Sequence, residues 1–298
     1  MYFGAHVSIA GGLPNAPLNA AAIGCEVFQM FTRSPQGGWV APLDKKIAKE
    51  FKANCHRLSG VPPHGGDKKS KSLMEWVIHA PYFINFASAN PRIKHGSITV
   101  IRQELERGTM LGASYLMAHL GSYKDLGEEK GFKQLIDGLA ETLKGYKGST
   151  QFLVEISAGA GSIIGKSFAE ISNIIHHPKL KKYNIGVCYD TQHGFASGYD
   201  IRTPKAVADT LDKFDKEVGL ENLKMFHCND SKTEFNSHRD RHEHIGDGKI
   251  GLPGFKALLT DKRLANVNFY LETEHDKVIK DLQTLKKMRL SLRVPLGA

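Results

Sequence analysis

Eight short apolar runs return along the chain about once per βα unit, and no other feature constrains the fold as tightly. They are 2–7 (YFGAHV), 25–31 (CEVFQMF), 76–80 (WVIHA), 115–120 (YLMAHL), 151–156 (QFLVEI), 185–190 (IGVCYD), 223–228 (LKMFHC) and 267–272 (VNFYLE). They are short, rich in β-branched and aromatic residues and mostly not alternating, the pattern of strands buried on both faces. Helix-period stretches lie between them, at 13–23, 44–58, 92–112, 131–145, 167–177, 204–219, 253–260 and 275–289. In 92–112, for example, apolar residues at 98, 101, 105 and 111 trace a helical stripe. Eight such units in 298 residues predict an α/β chain with one domain over 1–298, a closed parallel barrel ringed by helices. The alternative, an open doubly wound sheet, would want a Gly-rich phosphate loop after an early strand. The chain has no such loop after an early strand: its GxGxxG, GDGKIG at 246–251, falls after the seventh apolar run, and GxxxxGK followed by Ser or Thr is absent.

Six consecutive runs deliver a His or a carboxylate at their ends: His79, His119, Glu155, Asp190, His227 and Glu272, at gaps of 40, 36, 35, 37 and 45 residues. In a parallel barrel those ends converge on one mouth. A lone buried His is more often a hydrogen-bonded core residue, and a lone Asp at a strand end is often a helix cap. Six in register resist that explanation, because three convergent carboxylates without counter-charge are costly to bury. Divalent cations remove the cost. His193 follows Asp190 by three positions, and Asp240 and His242 flank Arg241. In extended backbone the side chains of that last pair share one side. A pool of five His and four carboxylates without Cys suits zinc, with manganese or iron as competitors. Nine ligands exceed one ion, so two or three ions fit, with a carboxylate bridging, and clustered divalent ions suit phosphoester cleavage. The histidines at 64, 95, 176, 177, 238, 244 and 275 lack strand-end placement and read as surface, capping or supporting residues.

Lys plus Arg (40) exceeds Asp plus Glu (31), a formal charge of +9 that fits a polyanionic partner as well as a plainly solvated surface. No apolar run approaches the roughly 18 residues of a membrane helix. MYFGAHVSIAGG is not a secretory signal, and the four Cys form no CxxC. Reduced thiols and a cytoplasmic location are expected, or a nuclear one were the source eukaryotic. Two connections, 59–75 and 229–252, are longer than ordinary loops.

GAHVSIAGG (4–12), QMFTRSP (29–35), HAPYFINFAS (79–88), AHLGSY (118–123), DTQHGFASGYD (190–200), HCNDSK (227–232), DRHEHIGDGKIG (240–251) and LETEHD (271–276) together resemble endonuclease IV, a family of zinc-dependent apurinic/apyrimidinic endonucleases. The resemblance spans nearly the whole chain, with the motifs in order. It implies a TIM-type (β/α)8 barrel carrying three zinc ions, with manganese or iron possible at one site. His79 and His119 would hold one ion, with Glu155 bridging to a second that Asp190, His227 and Glu272 also hold. His193, Asp240 and His242 would hold the third. Glu155 and Glu272 would be the catalytic carboxylates. The implied activity cuts the phosphodiester 5′ to an abasic site in double-stranded DNA, leaving a 3′-hydroxyl and a 5′-deoxyribose phosphate. It also trims blocked 3′ ends. A monomer working in base excision repair is expected, with no membrane partner. The chain departs from the family at EISAGAG for an ENTAG-like segment, AHLGS for HPGS, and RSPQGGW where an Arg often precedes the Trp. All nine ligands survive these changes.

Abasic selectivity should come from pocket shape, since a missing base lowers the cost of extruding the sugar. Arg33, Gln36, Trp39, Tyr82 and Phe83 are the residues expected to line the gap, and Lys232 to reach a phosphate. The rival enzyme is a sugar isomerase or epimerase on a similar barrel. It would need one divalent ion and would have no use for Asp240 and His242. A non-catalytic DNA-binding barrel would not keep nine ligands.

Overall fold

The structure, a computed structural model, describes residues 1–38, 40–58 and 74–293. Parallel strands β1 (Phe3–His6), β2 (Val27–Met30), β3 (Trp76–His79), β4 (Tyr115–Ala118), β5 (Gln151–Glu155), β6 (Gly186–Asp190), β7 (Leu223–His227) and β10 (Asn268–Leu271) close a barrel, with β1 between β2 and β10. A two-stranded antiparallel ribbon, β8 (Asp230–Ser231) with β9 (His242–Glu243), stands apart from it. The surrounding helices are α1 (Ala16–Ala22), α2 (Lys45–Leu58), α3 (Pro91–Leu111), α4 (Glu128–Leu143), α5 (Phe168–Ile175), α6 (Thr191–Ala196), α7 (Pro204–Glu217), α8 (Gly251–Thr260) and α9 (Val278–Arg293). No helix among the described residues is long and apolar enough to cross a membrane. All four cysteines are free.

The eight expected strands are the eight barrel strands. Their lack of alternation follows from their two apolar surroundings. One face packs on the helices, where Phe28 stacks on Trp76 at 5.8 Å and Phe226 on Phe269 at 4.8 Å. The other fills the barrel with Val27, Val77, Met117, Leu153, Cys188, Met225 and Tyr270. Burying each such side chain contributes about 1.5–3 kcal/mol. Strand β1 contributes Gly4 at the corresponding position, where a Cβ would lie 1.8 Å from the Val27 carbonyl oxygen. No larger residue lets β1 and β2 approach this closely.

Helix ends follow local chemistry. Asn90 caps α3 by accepting from the Arg92 N–H, Pro91 opens the helix, and Gly112 closes it at φ 86°. Ser167 accepts from the Glu170 N–H, while the Glu170 carboxylate reaches back to the N–H groups of Gly165 and Lys166. Two elements differ from expectation. Helix α6 is too short for periodicity to show and owes its start to Asp190. The β8–β9 ribbon lies inside the polar 229–252 segment, where no apolar pattern marks a strand.

Candidate metal centre at the barrel mouth

Because side chains alternate along a strand, the residue two positions after each interior side chain returns to the barrel axis, one layer nearer the C-terminal end. Two positions on from Gly4, Val27, Val77, Met117, Leu153, Cys188, Met225 and Tyr270 stand His6, Gln29, His79, His119, Glu155, Asp190, His227 and Glu272. The seven-residue apolar layer therefore underlies the site and sets its register.

Four groups have ligand atoms within 4.8 Å of one another: His79–His119–Glu155, Glu155–Asp190–His227–Glu272, Asp190–His193–His242 and Glu155–Cys188–His227. Glu155 is common to three of them. The His227 Nδ1 lies 2.7 Å from Glu155 Oε1, 3.2 Å from Glu272 Oε2 and 3.9 Å from Asp190 Oδ2. Asp190 caps α6 by accepting from the His193 N–H at 2.8 Å, which swings the His193 ring to the mouth. The Asp240 carboxylate then lies 3.3 Å from His193 Nε2 and 3.4 Å from His242 Nε2, so the two residues flanking Arg241 do act from one side.

A loop anchor makes this last approach possible. The buried Asp230 carboxylate accepts from the N–H groups of Ser231, Gly246, Gly248, Ile250 and Gly251, tying both ends of the segment that carries Asp240 and His242. His244 follows and pairs with buried Asp281 at 2.7 Å.

The charges are interlocked. Burial alone would raise the Glu155 pKa, but His119 and His227 hold it well below the usual carboxylate range. Burial pushes Glu272 up, with Glu155 adding to the effect against His227. Burial opposes charge on His193, yet Asp190, Asp240 and Glu155 carry its pKa well above the ordinary value. Burial likewise holds His6 down at about 3, and so neutral. Two polar atoms of the ligand set remain buried without a hydrogen-bond partner, Glu155 Oε2 and His119 Nδ1. Orphaned carboxylate oxygen among nitrogen and oxygen donors, in groups of three and four, fits divalent cations.

Two cavities open at this mouth. One, of about 430 Å³, is floored by the His and carboxylate cluster and includes His6 and His275 in its wall. The other, of about 530 Å³, runs from His119, His193 and Asp240 along the apolar side chains of Phe83, Ile84, Ile93 and Ile163. Tyr82 borders both, is 66% exposed, and stands edge-on to Phe31 and His79 at 5.3 and 5.5 Å. Its N–H donates to Pro35, latching the exposed Gln36 turn beside it, where Gly37 and Gly38 take φ of 108° and 109°. Phe83 is half-buried under Gly37. Lys232 is exposed, 3.3 Å from Glu274. Trp39 and the 59–73 portion of the long basic loop lie outside the described residues.

Arg33 needs correction. It is buried, its Nε donating to Glu104 Oε1 at 2.7 Å and its Nη2 to Gln103 at 2.9 Å. Thr32 also donates to Glu104, and Arg107 holds Thr32 from the other side. The guanidinium fastens the β2 loop to α3 and does not face the mouth.

Sequence reasoning passed over His6, Gln29 and Asn229. The strand-end rule that found six residues also reaches the first two, since His6 ends β1 and Gln29 is the inward residue near the end of β2. Asn229 donates to Asp190 Oδ2 and accepts from the Glu272 N–H, a contact that sequence alone does not mark.

Residues 18–293 match a family described as xylose isomerase-like TIM barrel. A protein described as "Probable endonuclease 4" from Halothermothrix orenii is 36% identical over 274 residues, covering 92% of this chain and 93% of its own. The crystal structure of endonuclease IV from Thermus thermophilus superposes with a TM-score of 0.81 at 31% identity, covering 98% of this chain and 99% of that one. A D-tagatose 3-epimerase-like protein matches at a TM-score of 0.69 and 17% identity over 98% of both chains, a likeness of fold alone.

Proposed function

We propose that this chain, which belongs to the endonuclease 4 family, is a DNA-repair hydrolase that cuts the phosphodiester 5′ to an abasic site. The products are a 3′-hydroxyl and a 5′-deoxyribose phosphate, and the same centre trims blocked 3′ ends. The observation that carries the reading is the convergence of nine nitrogen- and oxygen-donor side chains, Glu155 among them, more than a single-ion sugar enzyme uses. His79, His119 and Glu155 would hold one zinc ion, Glu155, Asp190, His227 and Glu272 a second, and His193, Asp240 and His242 a third, with manganese or iron possible at one site. When bound, such ions supply Lewis acidity to a phosphodiester and ionise water near neutral pH.

The chain's own residues do the rest. Glu272 is oriented by the Gln29 amide at 2.6 Å and Glu155 is buried at the end of β5, so these two catalytic carboxylates need little reorganisation. The apolar layer below excludes water from the barrel side. Tyr82 and Phe83 offer aromatic surface to exposed bases, Gln36 a polar probe beside them, and Lys232 a phosphate contact. The proposed substrate is double-stranded DNA, and the proposed working unit is a monomer.

Elemental analysis together with incision of an abasic duplex tests this. Three ions per chain and 5′ incision are expected. One ion with ketose epimerisation would return the chain to the sugar enzymes. Glu155→Ala should lose more activity than His193→Ala, because Glu155 serves three ligand groups; equal losses would remove its bridging role.

A further inference from the structure

Gln29 is fully buried on β2 and reaches three residues of the centre. Its Nε2 donates to Glu272 Oε1 at 2.6 Å and lies 3.1 Å from His6 Nδ1, while its Oε1 lies 2.7 Å from His227 Nε2. The chemistry of the partners fixes the amide. An ionised carboxylate only accepts, so the NH2 group must face Glu272. The carbonyl oxygen then faces His227 and only accepts, so His227 must carry a proton on Nε2. That leaves Nδ1, the atom set among Glu155, Glu272 and Asp190, as the ligand nitrogen. The second amide hydrogen points to His6 Nδ1, which must therefore be the unprotonated nitrogen of that ring.

We propose that Gln29 is a positioning residue of the metal centre, selecting the His227 tautomer that ligates through Nδ1 and holding the Glu272 carboxylate in place with the same amide. No metal ligand on β1 or β2 is needed for this. The second strand contributes through hydrogen bonds what β3 to β7 and β10 contribute through ligands. The inference rests on the divalent-ion reading above. It goes beyond it in assigning ion retention to a residue outside the nine proposed ligands.

The test compares full-length, zinc-loaded wild type with Gln29→Met, which fills a similar volume without the amide. Zinc dissociation is measured in chelator-buffered solution with elemental counting, and the His227 ring is followed by long-range proton–nitrogen NMR. Partners that orient ligating histidines typically change metal affinity 10- to 100-fold. At least one ion should be held about 10- to 100-fold more weakly in Gln29→Met, and His227 should carry its proton on Nε2 in wild type. A residue that merely packs would lower the melting temperature while leaving zinc affinity unchanged. Affinity within about twofold of wild type in a folded variant overturns the proposal, as does a wild-type His227 protonated on Nδ1. If Gln29→Met does not fold, Gln29→Asn keeps an amide one methylene short of both partners and should weaken zinc in the same direction; wild-type affinity there overturns it equally. Wild type that binds no zinc refutes the metal-centre reading itself, whereas zinc-replete wild type beside an unaffected variant refutes only the role of Gln29.

Discussion

Arg33 shows how a side chain's chemistry can mislead when its surroundings are unknown. An Arg three residues past a strand end, in a loop expected to line the lesion, invites a role on DNA. Nothing in the sequence near Arg33 reveals Glu104, seventy-one residues away and fully buried. Truncating one partner of a buried pair typically costs about 3–5 kcal/mol. Arg33→Ala should therefore lower the urea-unfolding free energy by about that much while leaving the salt dependence of DNA binding unchanged. Loss of a phosphate contact would instead reduce the log–log salt slope by about 1. A second pair gives a pH-dependent case. Glu26 accepts from both Arg289 Nη1 and Nη2 at 2.8 and 2.7 Å, joining the start of β2 to α9. Burial works against its charge, but Arg289 and the Phe3 N–H pull its pKa below the ordinary value. A depressed folded pKa contributes stability above the unfolded value, about 4.3, and that contribution is lost as pH falls through the folded one. Wild type should exceed Glu26→Gln by about 1–2 kcal/mol at neutral pH, and the gap should close below pH 4 in parallel urea titrations.

Strands were legible from sequence because each is buried on two faces, which writes a dense apolar run whatever the neighbours are. The convergence of strand-end His and carboxylate side chains was legible because the barrel brings every C-terminal strand end to one place. Elements defined by single contacts were not. Helix α6 begins because the Asp190 carboxylate accepts one N–H, and β8–β9 forms because Asp230 gathers five. Asp190 stands out in sequence as a strand-end residue, but the helix it starts does not, and Asp230 reads like any other Asp in a polar loop. The ribbon yields its own prediction. Asp230→Ala leaves several inward N–H groups without an acceptor, at about 1–3 kcal/mol for a buried unsatisfied donor. The loop carrying Asp240 and His242 should become susceptible to proteolysis between 232 and 250. The ion assigned to His193, Asp240 and His242 should be lost first in elemental analysis, with the His79–His119 group retained. Loss of every ion together would mean that the ribbon does not act locally.

Taken as one charged body, the chain carries +9 before any cation binds. A protein that neutralises several phosphates loses affinity steeply with salt through counterion release. Subsaturating incision should fall at least about tenfold between 50 and 200 mM salt; a flat profile would point to a small neutral substrate. Stripping the ions should lower the melting temperature, since anything bound only by the native state stabilises it by mass action. Free-metal dependence of the melting temperature checks this. The apolar layer two residues beneath the cluster also gives the molecule a polarity that its net charge does not express. Below the site lie Val27, Val77, Met117, Leu153, Cys188, Met225 and Tyr270, a poorly polarisable plug; above it lies water. Low-permittivity walls turn field lines away and focus them through the open end. With divalent cations bound, the cluster on such a floor would act as a lamp with a reflector behind it, and an approaching polyanion would feel its pull along the barrel axis from the mouth side alone.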